Sequence, residues 1–281
     1  MTSFRQKLAK ASQATQSLLC VGLDPDPKLM AIPDILDFNR AIVDATKDLV
    51  CAYKPNMAFY EAQGSAGIIA LEATVAYIRE QAPDVIVLGD GKRGDIGSSN
   101  SQYAKALFDT WGFDAATFNG YAGVEALGPF INYADKGIII WCRSSNDGAR
   151  ELQDQALGDN GKQLFEHVAE SAVRWDRNSN IGLVVGATYP DDLARVREIA
   201  PDMPILLPGV GAQQGQLRDS VLAGIDPAGR NLIVSSSRGI TYASKEPATF
   251  ERAARAAADD LRQLVNTILD EAGKPWRPIS T

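Results

Sequence analysis

Apolar residues fall into eight short runs, which are separated by longer segments of mixed apolar and polar residues. Each run is almost continuously apolar, which is typical of strands buried on both faces of a parallel sheet. The intervening segments repeat apolar residues at helical spacing. The pattern therefore predicts eight strands, at 17–24, 49–56, 84–91, 114–120, 137–145, 181–188, 204–210 and 231–238.

Helical spacing is clearest in four segments, at 35–49, 67–81, 191–200 and 248–273. The last of these predicts a long helix that closes the domain. Segment 151–162 is polar and contains glycine, so it predicts an exposed loop before a helix.

Eight strands that alternate with helices in 281 residues predict an α/β fold, a single-domain (β/α)₈ TIM barrel spanning 1–281. The main alternative is a doubly wound open sheet. Against it, no Gly-x-Gly-x-x-Gly motif follows the first strand, and 21–28 (VGLDPDPK) is a poor phosphate loop.

The overall charge narrows the possible partners. The chain has 28 basic and 35 acidic residues, a formal charge of -7, which argues against nucleic-acid binding. Small anionic ligands remain compatible with it, because a local site can oppose the global charge. No apolar stretch reaches the roughly 18 residues of a membrane span, and the polar N-terminus lacks a signal-peptide core. We therefore expect a cytoplasmic protein with no membrane partner.

Cysteine and histidine offer little chemistry. Cys20, Cys51 and Cys142 are far apart, which indicates buried thiols in a reducing compartment. The single histidine, His167, falls in a predicted helix, where a surface or packing role is expected. The sequence contains no His/Cys metal-binding cluster, and we expect no metal.

Charged residues collect where the first three predicted strands end: Asp24, Lys54, Asp90, Lys92 and Asp95. In a barrel these ends meet at the rim that carries the active site. A lysine between carboxylates is held protonated, which suits a proton donor and not a Schiff-base nucleophile. The alternative is a purely structural ion-pair network at the rim.

The last two predicted strands end in small and polar residues. Gly209, Gly211 and Gly239 let backbone N–H groups approach an anion, and Arg238 can bind it bidentately, with Gln213 nearby. Barrels often bind phosphate at this position. The alternative is a pair of ordinary Gly-rich turns with a surface arginine.

Segment 90–99 (DGKRGDIGSS) contains the Asp-x-Lys-x-x-Asp signature of the orotidine 5'-phosphate decarboxylase superfamily. The resemblance extends through 21–26, 53–61, 142–146, 208–213 and 234–240, which together span most of the chain. In particular, the chain resembles the longer group of the family known from bacteria such as mycobacteria.

The resemblance implies that orotidine 5'-monophosphate (OMP) loses CO₂ to give uridine 5'-monophosphate (UMP), the last step of de novo pyrimidine biosynthesis. It implies that Lys92 protonates C6 of the pyrimidine and that Asp90 lies beside the departing carboxylate. Neither a metal nor an organic cofactor is implied, and we find no cofactor motif.

Other positions are assigned through the same resemblance. Asp24 and Lys54 match residues that hold the ribose hydroxyls and complete the charged network, and Asn56 is expected near the ribose. Asp95 and Ser99 match positions that enter the neighbouring subunit's site, which implies a homodimer.

The remaining matches concern the base and the phosphate. Ser144 matches the hydroxyl residue that contacts the pyrimidine edge, although the adjacent Ser145 leaves the register open. Gln213 and Arg238 match phosphate contacts, and Gly239 belongs to the same substrate-binding turn.

Two other functions are considered. Relatives such as 3-keto-L-gulonate 6-phosphate decarboxylase and hexulose-phosphate synthase share the signature but use Mg²⁺, held partly by a glutamate near the end of the second strand. Here that end carries Lys54, which would repel a divalent metal. The second alternative is a non-enzymatic sensor of a nucleotide or sugar phosphate, but the Lys92 cluster would then have no function.

Overall fold

The computed structural model describes residues 2–159, 161–210 and 214–276. The strands are β1 (Leu19–Leu23), β2 (Ala52–Pro55), β3 (Ile86–Arg93), β4 (Ala115–Phe118), β5 (Gly137–Arg143), β6 (Ala156–Leu157), β7 (Lys162–Gln163), β8 (Ile181–Val185), β9 (Ile205–Leu207) and β10 (Leu232–Ser236). Eight of them form a closed parallel barrel in the order β1, β2, β3, β4, β5, β8, β9, β10, and β10 pairs with β1.

Helices connect the strands and cover the barrel. They are α1 (Phe4–Thr15), α2 (Ile35–Thr46), α3 (Met57–Glu61), α4 (Gly64–Gln81), α5 (Gly97–Ala104), α6 (Gly123–Ile131), α7 (Arg150–Gln153), α8 (Leu164–Trp175), α9 (Pro190–Ile199), α10 (Gln214–Gly224), α11 (Arg238–Thr241) and α12 (Phe250–Glu271). A π-helical segment, Lys105–Thr110, continues α5, and a single 3₁₀ turn, Asp147–Ala149, precedes α7.

The predicted (β/α)₈ barrel is confirmed. Seven of the eight apolar runs contain a barrel strand, and the run 84–91 overlaps β3, which continues to Arg93. The four predicted helices are also present. The prediction for 151–162 is only partly right. This segment begins within α7, and β6 and β7 then form a small antiparallel hairpin, so short regular structure replaces the expected loop.

Two apolar layers stabilise the barrel. Inward-facing residues such as Cys20, Leu88 and Ile139 form the inner layer, and the opposite faces of the strands pack against the helices. Phe4 of α1 joins the inner layer, and its ring lies where a Cβ on Gly137 would clash. Since Gly137 begins β5, α1 covers the N-terminal end of the barrel and leaves the C-terminal end for the site.

The cysteines and the histidine lie where the sequence predicts. All three thiols are buried, and burial raises the pKa of Cys20 and of Cys142 to about 12. His167 is exposed on α8. Among the helices within the described ranges, none is both long and apolar enough to cross a membrane.

A buried arginine joins the loops at the N-terminal ends of β9 and β10. The guanidinium of Arg197, on α9, donates six hydrogen bonds to the backbone carbonyls of Ala200, Pro201, Met203, Gly224 and Asn231. Burial lowers the pKa of Arg197 to about 10, so the side chain stays charged at neutral pH.

Arg197→Met is expected to lower the free energy of unfolding by about 3 kcal/mol or more, because buried carbonyls lose charged donors. Chemical denaturation measures the loss. Arg195→Met, at an exposed position of the same helix, is the matched control and should change little. A loss no larger than that of the control would contradict the structural role of Arg197.

Candidate active site

Four charged side chains form a chain of contacts at the C-terminal rim of the barrel. Lys54 Nζ lies 3.0 Å from Asp90 Oδ2 and 3.9 Å from Asp24 Oδ1. Lys92 Nζ donates to Asp90 Oδ1 at 2.8 Å. The carboxylate of Asp90 therefore lies between two ammonium groups, which the sequence predicted for the ends of the first three strands.

The electrostatics of the network follow from burial and charge. Burial alone would raise the pKa of Asp90, but Lys54 and Lys92 outweigh it and hold that pKa well below its ordinary value. Burial alone would lower the pKa of Lys54, but Asp90 and Asp24 outweigh it and raise that pKa. Both groups are therefore charged across the neutral range.

One carboxylate oxygen of Asp24 receives no hydrogen bond from the described residues. Its Oδ1 atom is buried and has no hydrogen-bond partner among the described residues. A buried carboxylate oxygen without a donor is costly unless a ligand supplies one. The atom is therefore placed to accept a hydrogen bond from a hydroxyl group in the site.

The backbone at Lys92 departs from regular strand geometry. Lys92 has a φ of 44°, which is uncommon for a residue with a side chain. The pairing of β3 with β4 shifts register between Gly89 and Arg93, and the Lys92 N–H donates to Thr117 Oγ1 at 2.9 Å. A strained conformation at a charged rim is typical of a functional position.

Two neighbours of the network were not predicted from the sequence. Thr117, on β4, donates to Asp90 Oδ1 at 2.8 Å, and Trp141, on β5, places its ring centroid 5.9 Å from Lys92 Nζ. Strand alternation gives a signal for both. Trp141 is two residues after the inward-facing Ile139 and therefore lies on the same face of β5, so its indole forms a wall of the barrel mouth.

Asn56 follows β2 and begins α3. Its Oδ1 accepts from the Ala58 N–H at 3.3 Å as a helix N-cap. A single parallel bridge pairs Asn56 with Asp90, so the structure places this predicted residue beside the network.

Asp95 and Ser99 lie apart from the network of their own chain. Both are exposed, and Asp95 Oδ1 accepts from the Ile96 N–H at 2.7 Å. Asn100 fixes this turn, because its amide bonds both the N–H and the carbonyl of Asp95. Arg93, which directly follows Lys92, pairs with Glu61 and not with the network.

The two serines after β5 have different surroundings. Ser144 Oγ accepts from Gln153 Nε2 at 2.8 Å. Ser145 lies against the ends of β8 and β9, where a Cβ on Gly186 would overlap its backbone and one on Gly209 would come within 3.6 Å of its Oγ. The hydroxyl of Ser144 is thus engaged within its own loop, and Ser145 is next to the rim.

The preceding arginine does not join the rim. Arg143 is buried behind the strand, where it pairs with Asp154 and Asp192 and lies over the rings of Phe165 and Tyr189. It organises the loop after β5 from outside the barrel.

Arg238 and Gly239, which follow β10, are both exposed. Because β10 pairs with β1, this turn is next to the end of β1 that carries Asp24. Gly22 of β1 allows the close approach, since a Cβ there would overlap Ser237. The predicted phosphate contact Gln213 lies outside the described residues. Within the described part of the chain, no group of three His, Cys, Asp or Glu side chains could hold a metal ion.

The chain that forms this barrel, with an Asp–Lys–Asp–Lys network at its C-terminal rim, has a sequence that matches a known protein family. The profile of the orotidine 5'-phosphate decarboxylase / HUMPS family matches residues 17–253. The chain belongs to this family. The resemblance drawn from the sequence is therefore confirmed.

Individual relatives narrow the assignment within the orotidine 5'-phosphate decarboxylase / HUMPS family. An orotidine 5'-phosphate decarboxylase of Thermomicrobium roseum is 49% identical over 276 residues, 96% of this chain and 97% of that protein. One of Cellvibrio japonicus is 46% identical over 273 residues, 94% and 98% of the two chains. The solved structure of Leishmania donovani OMP decarboxylase has a TM-score of 0.84 and 37% identity, with 95% and 98% coverage. These similarities place the chain among the carboxy-lyases of the family.

Proposed function

We propose that the chain converts OMP to UMP and CO₂, the last step of de novo pyrimidine biosynthesis, with Lys92 as the proton donor to C6 and with neither a metal nor an organic cofactor. The observation that carries the proposal is the contact chain from Asp24 through Lys54 and Asp90 to Lys92. The identity to named decarboxylases over nearly the whole chain supports it. The predicted cytoplasmic location stays a prediction.

The reaction breaks the bond between C6 and the carboxylate carbon. The electron pair stays on C6, CO₂ leaves, and a proton from Lys92 Nζ forms the new C6–H bond. The ammonium of Lys92 stabilises the charge that develops at C6 before it gives up the proton. Asp90, which stays ionised, fixes the ammonium and faces the departing carboxylate. Lys92 then regains a proton from solvent.

The ribose and base contacts follow from the free acceptors of the site. The Oδ1 of Asp24, which has no hydrogen-bond donor among the described residues, accepts from a ribose hydroxyl. Lys54 and Asn56 supply the other contacts to the ribose. For the base we favour Ser145 over Ser144, because Ser144 Oγ already binds Gln153. The indole of Trp141 forms the apolar wall beside the pyrimidine.

Arg238, with Gly239 and Gln213, holds the phosphate of the substrate. Arg238→Ala is expected to raise KM for OMP by about 10²-fold or more, because a charge-assisted contact to the phosphate is lost. Steady-state kinetics measure it. The matched control is Arg252→Ala, at an exposed position of α12, which should leave KM unchanged. An unaltered KM in Arg238→Ala would show that the phosphate binds elsewhere.

The active unit is a homodimer in which Asp95 and Ser99 reach the neighbouring site. The support is the position of Asp95 outside the network of its own chain and the exposure of large apolar side chains on the loops that follow β3 and β4. Ile96 is 65% exposed and Tyr121 is 89% exposed. Burial of such side chains at a dimer interface would remove this apolar surface from water.

One assay tests the function. The purified chain is mixed with OMP in EDTA, and the ultraviolet absorbance of the orotate chromophore is followed. Rapid loss, with UMP as product, is the expected result. Activity that appears only when Mg²⁺ is added would contradict the metal-independent reaction. Tight UMP binding without turnover would favour the sensor instead.

A further inference from the structure

The hydroxyl group of Tyr242 joins two parts of the rim that are far apart in the sequence. It donates to the backbone carbonyl of Asp24 and accepts from the Asp26 N–H at 2.8 Å. Both bonds go to the Asp24 loop, residues 24–34, which connects β1 to α2. A single hydroxyl thus holds the backbone on both sides of Pro25.

Aromatic packing fixes the ring that carries this hydroxyl. Tyr242 stacks on Phe38 with 6.0 Å between the ring centroids, and Phe38 stacks on Phe250 with 5.6 Å. Phe38 lies on α2, just beyond the Asp24 loop. The ring therefore cannot swing away without disturbing buried aromatic contacts, and the position of its hydroxyl is well defined.

Tyr242 also continues the helix that begins at Arg238. It is the C-cap of α11, and its N–H bonds the Arg238 carbonyl at 3.3 Å. Within the same turn, Thr241 Oγ1 donates to the Ser237 carbonyl. A displacement of the turn around Arg238 therefore moves Tyr242, and with it the Asp24 loop.

We infer that Tyr242 is a positioning residue that couples the phosphate turn at Arg238 to the carboxylate of Asp24. Phosphate bound at Arg238 fixes α11, and the Tyr242 hydroxyl then holds Asp24 in place. Asp24 Oδ1 lies 3.9 Å from Lys54 Nζ, so its placement sets one end of the network that reaches Lys92. The inference rests on the proposed function, in that it assigns phosphate to Arg238.

A double-mutant cycle on kcat/KM for OMP tests the coupling. Tyr242→Phe removes only the hydroxyl and is expected to lower kcat/KM about tenfold in the wild-type background. On the Arg238→Ala background the same change is expected to cost about twofold or less, because the phosphate turn no longer has an effect to transmit. Equal factors in the two backgrounds would overturn the coupling.

Tyr60 provides the matched control. Its hydroxyl donates to the Leu23 carbonyl at 3.1 Å, so it supports the same strand end, but from α3 and not from α11. Tyr60→Phe should therefore lower kcat/KM by the same factor with and without Arg238. A merely structural role of Tyr242 would give that same additive result.

A measurement on the wild-type protein keeps the test independent of how the variants fold. Inorganic phosphate alone should slow amide hydrogen exchange in segment 24–30, which includes the Asp26 N–H. Unchanged exchange at saturating phosphate would overturn the coupling. Failure of the proposed function would be distinguishable, because the wild-type chain would then not turn over OMP at all.

Discussion

Replacing Lys92 with methionine is expected to lower kcat for OMP by at least about 10⁴-fold while the chain still folds. The loss is large because, in the proposed mechanism, one ammonium group acts twice, first by stabilising the charge at C6 and then as the proton donor. Methionine keeps an unbranched side chain of similar shape and removes both functions. Asp90 retains Lys54 at 3.0 Å and Thr117 at 2.8 Å, so no carboxylate is left unpaired.

Single-turnover loss of orotate absorbance measures the effect of Lys92→Met, and thermal unfolding checks the fold. Lys105→Met, at an exposed position of the same βα segment, should retain normal activity. KM should change far less than kcat, since the group acts mainly in the transition state. A kcat within tenfold of the wild-type value would contradict the role of Lys92 as the proton donor.

The fold could be predicted because a parallel strand buried on both faces leaves a continuous apolar run. Each run coincides with a barrel strand, as in 181–188, which contains β8. The role of α1 was not predictable in the same way. Its sequence is polar overall, and only the structure shows that Phe4, Leu8 and Ala11 join the inner layer and that α1 covers the barrel.

The site could be predicted in part because strand ends converge at one rim of a barrel, which brings Asp24, Lys54, Asp90 and Lys92 together. The left-handed φ of Lys92 could not be predicted from the sequence, because glycine is the residue that usually marks such a position and this position is a lysine. Tyr242 is separated from Asp24 by 218 residues. Only the closure of the barrel between β10 and β1 brings these two residues into contact.

The proposed homodimer, in which Asp95 enters the partner's site, leads to a prediction about mixed variants. Asp95 and Lys92 are three positions apart, yet Asp95 is exposed and does not join the Asp90 carboxylate network of its own chain. Ile96, the next residue, is 65% exposed, and α5 is joined to α6 where Asn100 donates to the Ala126 carbonyl. In a symmetric dimer that buries this surface, each Asp95 would face the partner's site.

Asp95→Ala and Lys92→Met should each be nearly inactive alone, but mixing them should restore activity. Random exchange of equal amounts gives heterodimers in about half of the dimers, each with one intact site, so about a quarter of wild-type activity returns. The matched control mixes Lys92→Met with Asp90→Asn. Both of these residues belong to one chain's network, so no intact site forms and activity should stay absent. No restoration in the Asp95 mixture, despite confirmed subunit exchange, would place Asp95 in the site of its own chain. Restoration in the control would instead contradict the assignment of Lys92 and Asp90 to one site.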